Sequence, residues 1–191
     1  MTRAKSASVW ALIGIALALC LLPMSSAAAS NTKATVVSHF FPVGIRTTST
    51  STADCWETSL AAPRKDTWRC AVVNTIYDPC FSSPTQHNYV ICDASPTGDV
   101  RGLKVTLAGA LPVTTATSSD AQPWVLLLPD GVSCTFLTGA TSVINNERVN
   151  YGCTNNATIV GLPTQGTVWT VKEVLDGQTQ PVVTTVVHVW F

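Results

Sequence analysis

Six cysteines between residues 55 and 153 constrain this chain more than any other feature of its sequence. They are Cys55, Cys70, Cys80, Cys92, Cys134 and Cys153. An even set of cysteines in an exported chain is typical of a disulfide framework. We therefore expect three disulfides, which stabilise a small domain mainly by restricting its unfolded chain.

The first 29 residues have the features of a secretory signal peptide. Arg3 and Lys5 give a positive start, an uncharged apolar run covers residues 9–22, and Ala27-Ala28-Ala29 supplies a small-residue exit. We place the cleavage after Ala29, which also removes the seventh cysteine, Cys20. The apolar run has 14 residues, whereas a spanning helix needs about 20. We therefore expect a secreted or extracellular protein, or one at the cell envelope, with no stable membrane anchor after cleavage.

Charge is scarce in this chain. Only 12% of its residues are charged, against about 25% in an average soluble protein. Eleven basic residues balance eleven acidic ones, and loss of Arg3 and Lys5 leaves nine against eleven. The composition, with 46% hydrophobic residues, excludes a disordered chain. The absence of a basic excess argues against a nucleic-acid partner.

The cysteine spacing favours pairing between neighbours. Six cysteines allow fifteen connectivities, and sequence alone does not choose among them. Cys134 and Cys153 lie in the strand-like runs 132–137 and 148–153, far from the other four, so we predict that they pair. The leading interpretation for the whole set is Cys55–Cys70, Cys80–Cys92 and Cys134–Cys153.

A metal site is disfavoured by the same spacing. Structural zinc sites favour close pairs such as C-x2-C, and the shortest gap here, between Cys70 and Cys80, holds nine residues. The sequence predicts no metal site and no other cofactor.

The chain downstream of the signal peptide divides into a lead-in and a domain. Residues 30–53 contain one short strand-like stretch, and their Ser/Thr-rich run 47–52 is typical of a flexible linker. We expect a disulfide-stapled β-rich domain over residues 54–191. A helix is predicted near residues 63–72, because Pro63 suits a first helical position and Trp68 and Val72 lie four residues apart.

The remainder of the domain favours β-structure. About seven to nine short β-branched runs, separated by turn residues, predict an all-β antiparallel sandwich or barrel. Residues 124–128 and 132–137 flank Pro129-Asp130-Gly131, which is a hairpin signal. The last run, 182–191, is apolar on both faces, so we expect a central position for it.

The cysteines, tryptophans and prolines of this chain form a specific sequence pattern. It comprises Cys55-Trp56, Trp68-Arg69-Cys70, Asp78-Pro79-Cys80-Phe81, Pro123-Trp124 and Asn150-Tyr151-Gly152-Cys153. The pattern resembles that of a group of uncharacterised secreted bacterial proteins. The resemblance covers most of residues 54–191 and leaves residues 30–53 outside it. It implies export, disulfides and a compact domain, and it brings no activity with it.

Catalytic motifs are missing from the sequence. There is no H-E-x-x-H, no G-x-S-x-G elbow and no phosphate-binding glycine loop. His39, His87 and His188 are the only candidate bases. A solvated or packed side chain is the ordinary interpretation of each. A small secreted hydrolase would need one of them near an aspartate, or two facing carboxyl groups.

Aromatic and basic side chains are the better candidates for a binding site. Exposed aromatics can bind glycan rings or anchor a protein partner. The candidates are Trp56, Trp68, Arg64, Arg69 and Trp124. Core packing is the competing interpretation, above all for Trp56 and Trp68, which lie beside cysteines. The sequence therefore predicts a secreted, non-enzymatic binding module for an extracellular glycan or protein; the alternative is a small secreted hydrolase or an inhibitor of a secreted enzyme.

Overall fold

Two β-structures make up the described part of the protein, a closed five-stranded barrel and a curled nine-stranded sheet. The computed structural model describes residues 33–83, 85, 88–98, 101–114, 116 and 122–191. The predicted signal peptide and His87 lie outside these residues. Within them there are fourteen strands, one 3-10 turn and no α-helix. The all-β class is confirmed, with more strands than the seven to nine expected.

The strands follow one another in short steps along the chain. They are β1 (Val36–Ser38), β2 (Arg46–Thr58), β3 (Thr67–Val72), β4 (Thr75–Ser82), β5 (Tyr89–Cys92), β6 (Arg101–Leu107), β7 (Val125–Leu127), β8 (Ser133–Phe136), β9 (Val143–Ile144), β10 (Glu147–Cys153), β11 (Thr158–Thr164), β12 (Trp169–Val174), β13 (Val182–Val186) and β14 (His188–Trp190).

The barrel contains β2 to β6, and the lead-in closes it. Strand β2 pairs antiparallel with β3 and parallel with β6. The Ser/Thr-rich run 47–52, which the sequence predicted as a linker, lies within β2. Threonine is β-branched and suits a pleated strand, so this composition fits a strand once a partner is present.

The predicted helix near residues 63–72 is wrong. Residues 67–72 form strand β3, and Trp68, Cys70 and Val72 are buried on one face. A spacing of four is even, so it places Trp68 and Val72 on one side of a strand as well as of a helix. Cys70, between them, pairs with Cys55 on β2, which selects the strand. In the described part of the chain no helix is long and apolar enough to cross a membrane.

The nine-stranded sheet runs in the order β1-β14-β7-β8-β10-β11-β12-β13, and β9 pairs with β10. The predicted hairpin joins β7 to β8. Its turn needs positive φ at Asp130 (61°) and Gly131 (77°), which aspartate tolerates and glycine adopts freely. The last predicted run divides in two. Strand β14 lies centrally between β1 and β7, as expected, whereas β13 is at an edge.

Apolar side chains fill both structures and the space between them. The barrel encloses a cluster with Trp68, Val90 and Val105, and the curled sheet encloses one with Tyr151 and Val189. A third cluster joins the two, because Phe81 of β4 packs with Trp124 at a ring-centroid distance of 5.6 Å. The barrel and the curled sheet therefore belong to one compact unit.

Three disulfides with the predicted pairing reinforce these strands. They are Cys55–Cys70, Cys80–Cys92 and Cys134–Cys153. Each joins two residues directly opposite one another on neighbouring antiparallel strands. Two bridges lie in the barrel and one in the curled sheet, so each structure has covalent reinforcement.

Candidate functional site

A groove lies on the outer surface of the barrel over β5 and β6. Because side chains alternate along a strand, Val90 and Cys92 are buried in the barrel whereas Tyr89 and Ile91 are on its outer side. Lys104 of β6 is the register partner of Ile91. These three outward side chains contribute to a cavity of about 380 Å³, within the usual range for small-ligand clefts.

The lead-in supplies one wall of this groove. Residues 41–45 line it, and Phe41 is 43% exposed there. Arg64 holds the base of the wall: its Nη1 donates to the main-chain oxygen of Phe40 at 3.1 Å, and its guanidinium lies 5.2 Å from the Phe41 ring centroid. An ion pair with Asp66 fixes the same guanidinium. The half-buried Arg64 therefore positions the wall and is not itself an open binding residue.

Hydroxyl groups and one lysine give the groove its polar character. Four of its lining residues carry hydroxyls on short side chains: Thr47, Ser82, Ser83 and Thr85. The Lys104 ammonium lies 4.1 Å from the centroid of the Tyr89 ring, a cation–π contact. No carboxylate lies within 4.0 Å of it among the described residues. The described lining also contains no aspartate, glutamate, histidine or cysteine.

Gly102 lets the floor of the groove pack closely. A Cβ at this position would lie 2.6 Å from Cγ2 of Ile91 and 2.8 Å from Cδ1 of Ile45. Both distances are far below an ordinary carbon–carbon contact of about 3.5–4.0 Å. The absence of a side chain on Gly102 therefore allows Ile45 of the wall to meet Ile91 of the floor.

A second cavity, of about 390 Å³, is lined by Asp78, Asp93 and Trp124. Asp78 is occupied with structural contacts: it accepts hydrogen bonds from the Ser59 hydroxyl and from the Leu60 and Ala61 amides. Burial raises the pKa of Asp78, and these hydrogen bonds and the Arg69 charge oppose that rise. Its carboxyl group organises the loop after β2, which leaves it poorly placed for acid–base chemistry on a substrate.

The five predicted binding residues do not form one site. Trp68 and Trp124 are buried, at 4% and 3% exposure, and Arg64 supports the groove wall. Trp56 and Arg69 do meet, with the guanidinium 5.5 Å from the ring centroid. Trp56 is 41% exposed, so it does not pack away in the core beside Cys55.

The Arg69 side chain links two carboxylates on the barrel. Its Nη1 lies 2.7 Å from Glu57, and its Nε lies 3.2 Å from the buried carboxylate of Asp78. Glu57 also accepts a hydrogen bond of 3.0 Å from the indole of Trp56. Because its charge is shared between two acidic partners, Arg69 offers little to an anionic ligand.

The described histidines are engaged with neighbouring side chains. His188 stacks on Trp190 with ring centroids 3.7 Å apart, and its Nε2 lies 2.8 Å from the Ser38 hydroxyl. Burial lowers the pKa of His188. His39 packs against Phe191 at 5.8 Å. No carboxylate contacts either ring in the described part of the chain.

Sequence reasoning missed the residues that line the groove. Tyr89 carries a weak signal, because side chains alternate along a strand and an inward Cys92 would place Tyr89 on the outer side. Phe41 carries none, because its role depends on contacts with Arg64, which lies 23 residues further along the chain.

Comparison of the chain with protein-family models, with curated proteins and with solved structures gives no significant match.

Proposed function

We propose that this protein is a secreted, non-enzymatic binding module that takes an extracellular ligand in the barrel groove. One observation carries the proposal. The groove combines exposed aromatic surface, hydroxyls and a lysine that has no carboxylate within 4.0 Å among the described residues, and its described lining holds no aspartate, glutamate, histidine or cysteine. Such a lining can recognise and orient a ligand, and it lacks the imidazole and carboxylate groups that serve most often in general acid–base catalysis.

The groove is built on rigid elements, which supports a binding role. Strands β4, β5 and β6 are joined in the closed barrel, and the Cys80–Cys92 bridge links β4 to β5 next to the lining residues Phe81 and Ile91. Arg64 ties the wall to Phe40 and Phe41. A preformed site loses little conformational entropy when a ligand binds.

The hydrolase alternative has one contact in its favour, the hydrogen bond between His188 and Ser38. A serine nucleophile also needs a group that orients its histidine and donors that stabilise an oxyanion. His188 has no carboxylate partner among the described residues. Neither His188 nor Ser38 lines the groove or the Asp78 cavity. The binding role is therefore the better supported of the two.

Export is tested by the N-terminus of the mature protein. When the full chain is expressed in a bacterial host, we expect the protein in the external or envelope fraction, beginning at Ser30. Mass spectrometry of the intact protein gives this directly. Retention of residues 1–29 on the recovered protein would contradict the secretory assignment.

The binding role is tested by retention on extracellular material. The mature protein is incubated with fractionated cell-envelope polysaccharide and with secreted protein, alongside the Tyr89→Ala variant. Trp56→Ala is the matched control, because Trp56 is an exposed aromatic residue of the barrel outside the groove. We expect Tyr89→Ala to lose binding and Trp56→Ala to retain it.

Two results would overturn the groove assignment. One is retention by neither fraction. The other is loss of binding in Trp56→Ala with full binding in Tyr89→Ala, which would place the site at Trp56 and Arg69. Far-ultraviolet circular dichroism of both variants establishes that a loss of binding does not arise from unfolding.

A further inference from the structure

We infer that the ligand of the groove is an acidic polysaccharide and that Lys104 binds the carboxylate of one of its sugars. This inference rests on the proposed binding function and names its ligand class. It combines three features of the described lining: a cation with no acidic partner among the described residues, aromatic surface, and short hydroxyl side chains.

The lysine is the first feature. The Lys104 ammonium has no carboxylate within 4.0 Å among the described residues, and its nearest aromatic contact is the Tyr89 ring. By contrast, Lys172 of β12 is paired with Glu147 at 2.5 Å. A partly buried ammonium has lost some of its hydration. A ligand carboxylate would restore a partner and form a charge-assisted hydrogen bond.

The aromatic side chains are the second feature. Phe41 on the wall and Tyr89 on the floor both border the cavity. The apolar carbon–hydrogen face of a sugar ring packs well against such surface, because an aromatic ring supplies a large rigid contact area at low entropic cost. An acyclic anion such as a free phosphate or acetate would leave this surface uncovered.

The hydroxyls are the third feature, and they separate a sugar from an apolar peptide. Ser82 ends β4, Ser83 and Thr85 follow that strand, and Thr47 lies on β2. The Ser82 hydroxyl donates to the main-chain oxygen of Asp66 at 3.4 Å, and the Ser83 and Thr85 hydroxyls lie 3.3 Å apart. A hydroxyl oxygen has two lone pairs and accepts further hydrogen bonds, which suits the hydroxyls of a sugar. One lysine is too few for a nucleic acid, whose phosphates require a broad basic face.

The test uses a panel of carboxylated polysaccharides and their neutral counterparts. Oligomers of galacturonate, of alginate and of hyaluronate are each compared with the same oligomer after its carboxyl groups have been reduced to alcohols. Titration calorimetry measures the affinity of the wild type, Lys104→Gln, Lys104→Arg and Tyr89→Ala. Lys172→Gln is the matched control, because it removes one positive charge outside the groove.

We expect at least one acidic oligomer to bind more tightly than its reduced counterpart. Lys104→Gln should weaken binding of the acid by about tenfold or more, the range for a hydrogen bond to a charged group, and should leave the reduced oligomer unaffected. Lys104→Arg should keep most of the affinity, Lys172→Gln should bind as the wild type does, and Tyr89→Ala should weaken both forms.

Three results would overturn the inference. Equal affinity for acidic and reduced oligomers would show that no carboxylate is recognised. An equal loss in Lys104→Gln and Lys172→Gln would show attraction to overall charge. If no acidic oligomer binds, acidic polysaccharides are excluded as the ligand class. If acidic and reduced oligomers bind equally, a loss of affinity in Tyr89→Ala would still place the binding site in the groove. Failure of this inference is therefore distinguishable from failure of the proposed function.

Discussion

Replacing Gly102 by alanine tests the close packing beneath the groove. The added Cβ would lie 2.6 Å from Ile91 and 2.8 Å from Ile45, so both side chains must recede by about 1 Å to reach an ordinary contact. The γ2-methyl of Ile91 is attached at a branched Cβ, which has few alternative rotamers. The packing therefore has to adjust through the strands themselves.

The cost follows from the effects of overpacking. Inserting a methyl group into a filled site costs about 1–3 kcal/mol, while replacement of a strand glycine by alanine recovers about 0.5–1 kcal/mol of backbone entropy. We expect a net loss of about 1–2 kcal/mol in the free energy of unfolding of Gly102→Ala. Ligand affinity should also fall, because Ile45 and Ile91 both line the groove.

Gly152 provides the matched control. It lies in strand β10, and a Cβ there would meet Leu137 at 3.6 Å, an ordinary contact. Gly152→Ala should therefore be neutral or slightly stabilising. Urea unfolding followed by tryptophan fluorescence compares the two variants, and Ile91→Ala in the Gly102→Ala background should restore part of the loss. If Gly102→Ala proves as stable as Gly152→Ala, the close-packing argument is refuted.

Three further perturbations address stability elsewhere in the protein. Replacing Cys134 and Cys153 together by alanine should lower the free energy of unfolding by about 3 kcal/mol, because that bridge closes a loop with a separation of 19 residues; an unchanged midpoint in guanidinium unfolding would contradict this. In the same assay, Tyr151→Phe should lower the free energy of unfolding by about 1–2 kcal/mol. The buried hydroxyl donates to the Pro123 main-chain oxygen at 2.7 Å, and its loss leaves that carbonyl unsatisfied. Burial lowers the pKa of His188, so the unfolded chain binds the proton more readily and stability should fall as pH drops below about 6.5. Thermal unfolding between pH 7 and 5 should show a smaller decline for His188→Gln, and identical declines would exclude this contribution.

The helix prediction shows why local spacing alone was insufficient at residues 63–72. Trp68 and Val72 satisfy helical and strand periodicity equally, and only the pairing of Cys70 with Cys55 distinguishes the two. The hairpin over Pro129-Asp130-Gly131 was predictable because its turn chemistry is local. The disulfide pairing was predictable for a related reason, since sequence neighbours among the cysteines lie on strands that pair directly.

The candidate site was much less accessible to sequence reasoning. Of the residues put forward for binding, Trp68 and Trp124 are buried. Arg64 supports the groove wall through its contacts with Phe40 and Phe41. Large aromatic side chains beside cysteines mark the core as readily as they mark a surface. Lys104 gave no signal by itself, because its significance depends on the face of Tyr89 and on the absence of a nearby carboxylate in the described structure.

By itself, the sequence determined the all-β class and the β7–β8 turn, and it favoured the three cysteine pairs that the structure shows. These features depend on residue type, alternation and short separations, which act over a few residues or between adjacent strands. Only the tertiary structure decided that the Ser/Thr-rich run 47–52 is a barrel strand and that residues 41–45 form the wall of a groove. Both depend on partners far along the chain, on β6 and at Arg64. A polar or flexible segment acquires a defined conformation from such partners, because they supply the hydrogen bonds and contacts that offset its loss of conformational entropy.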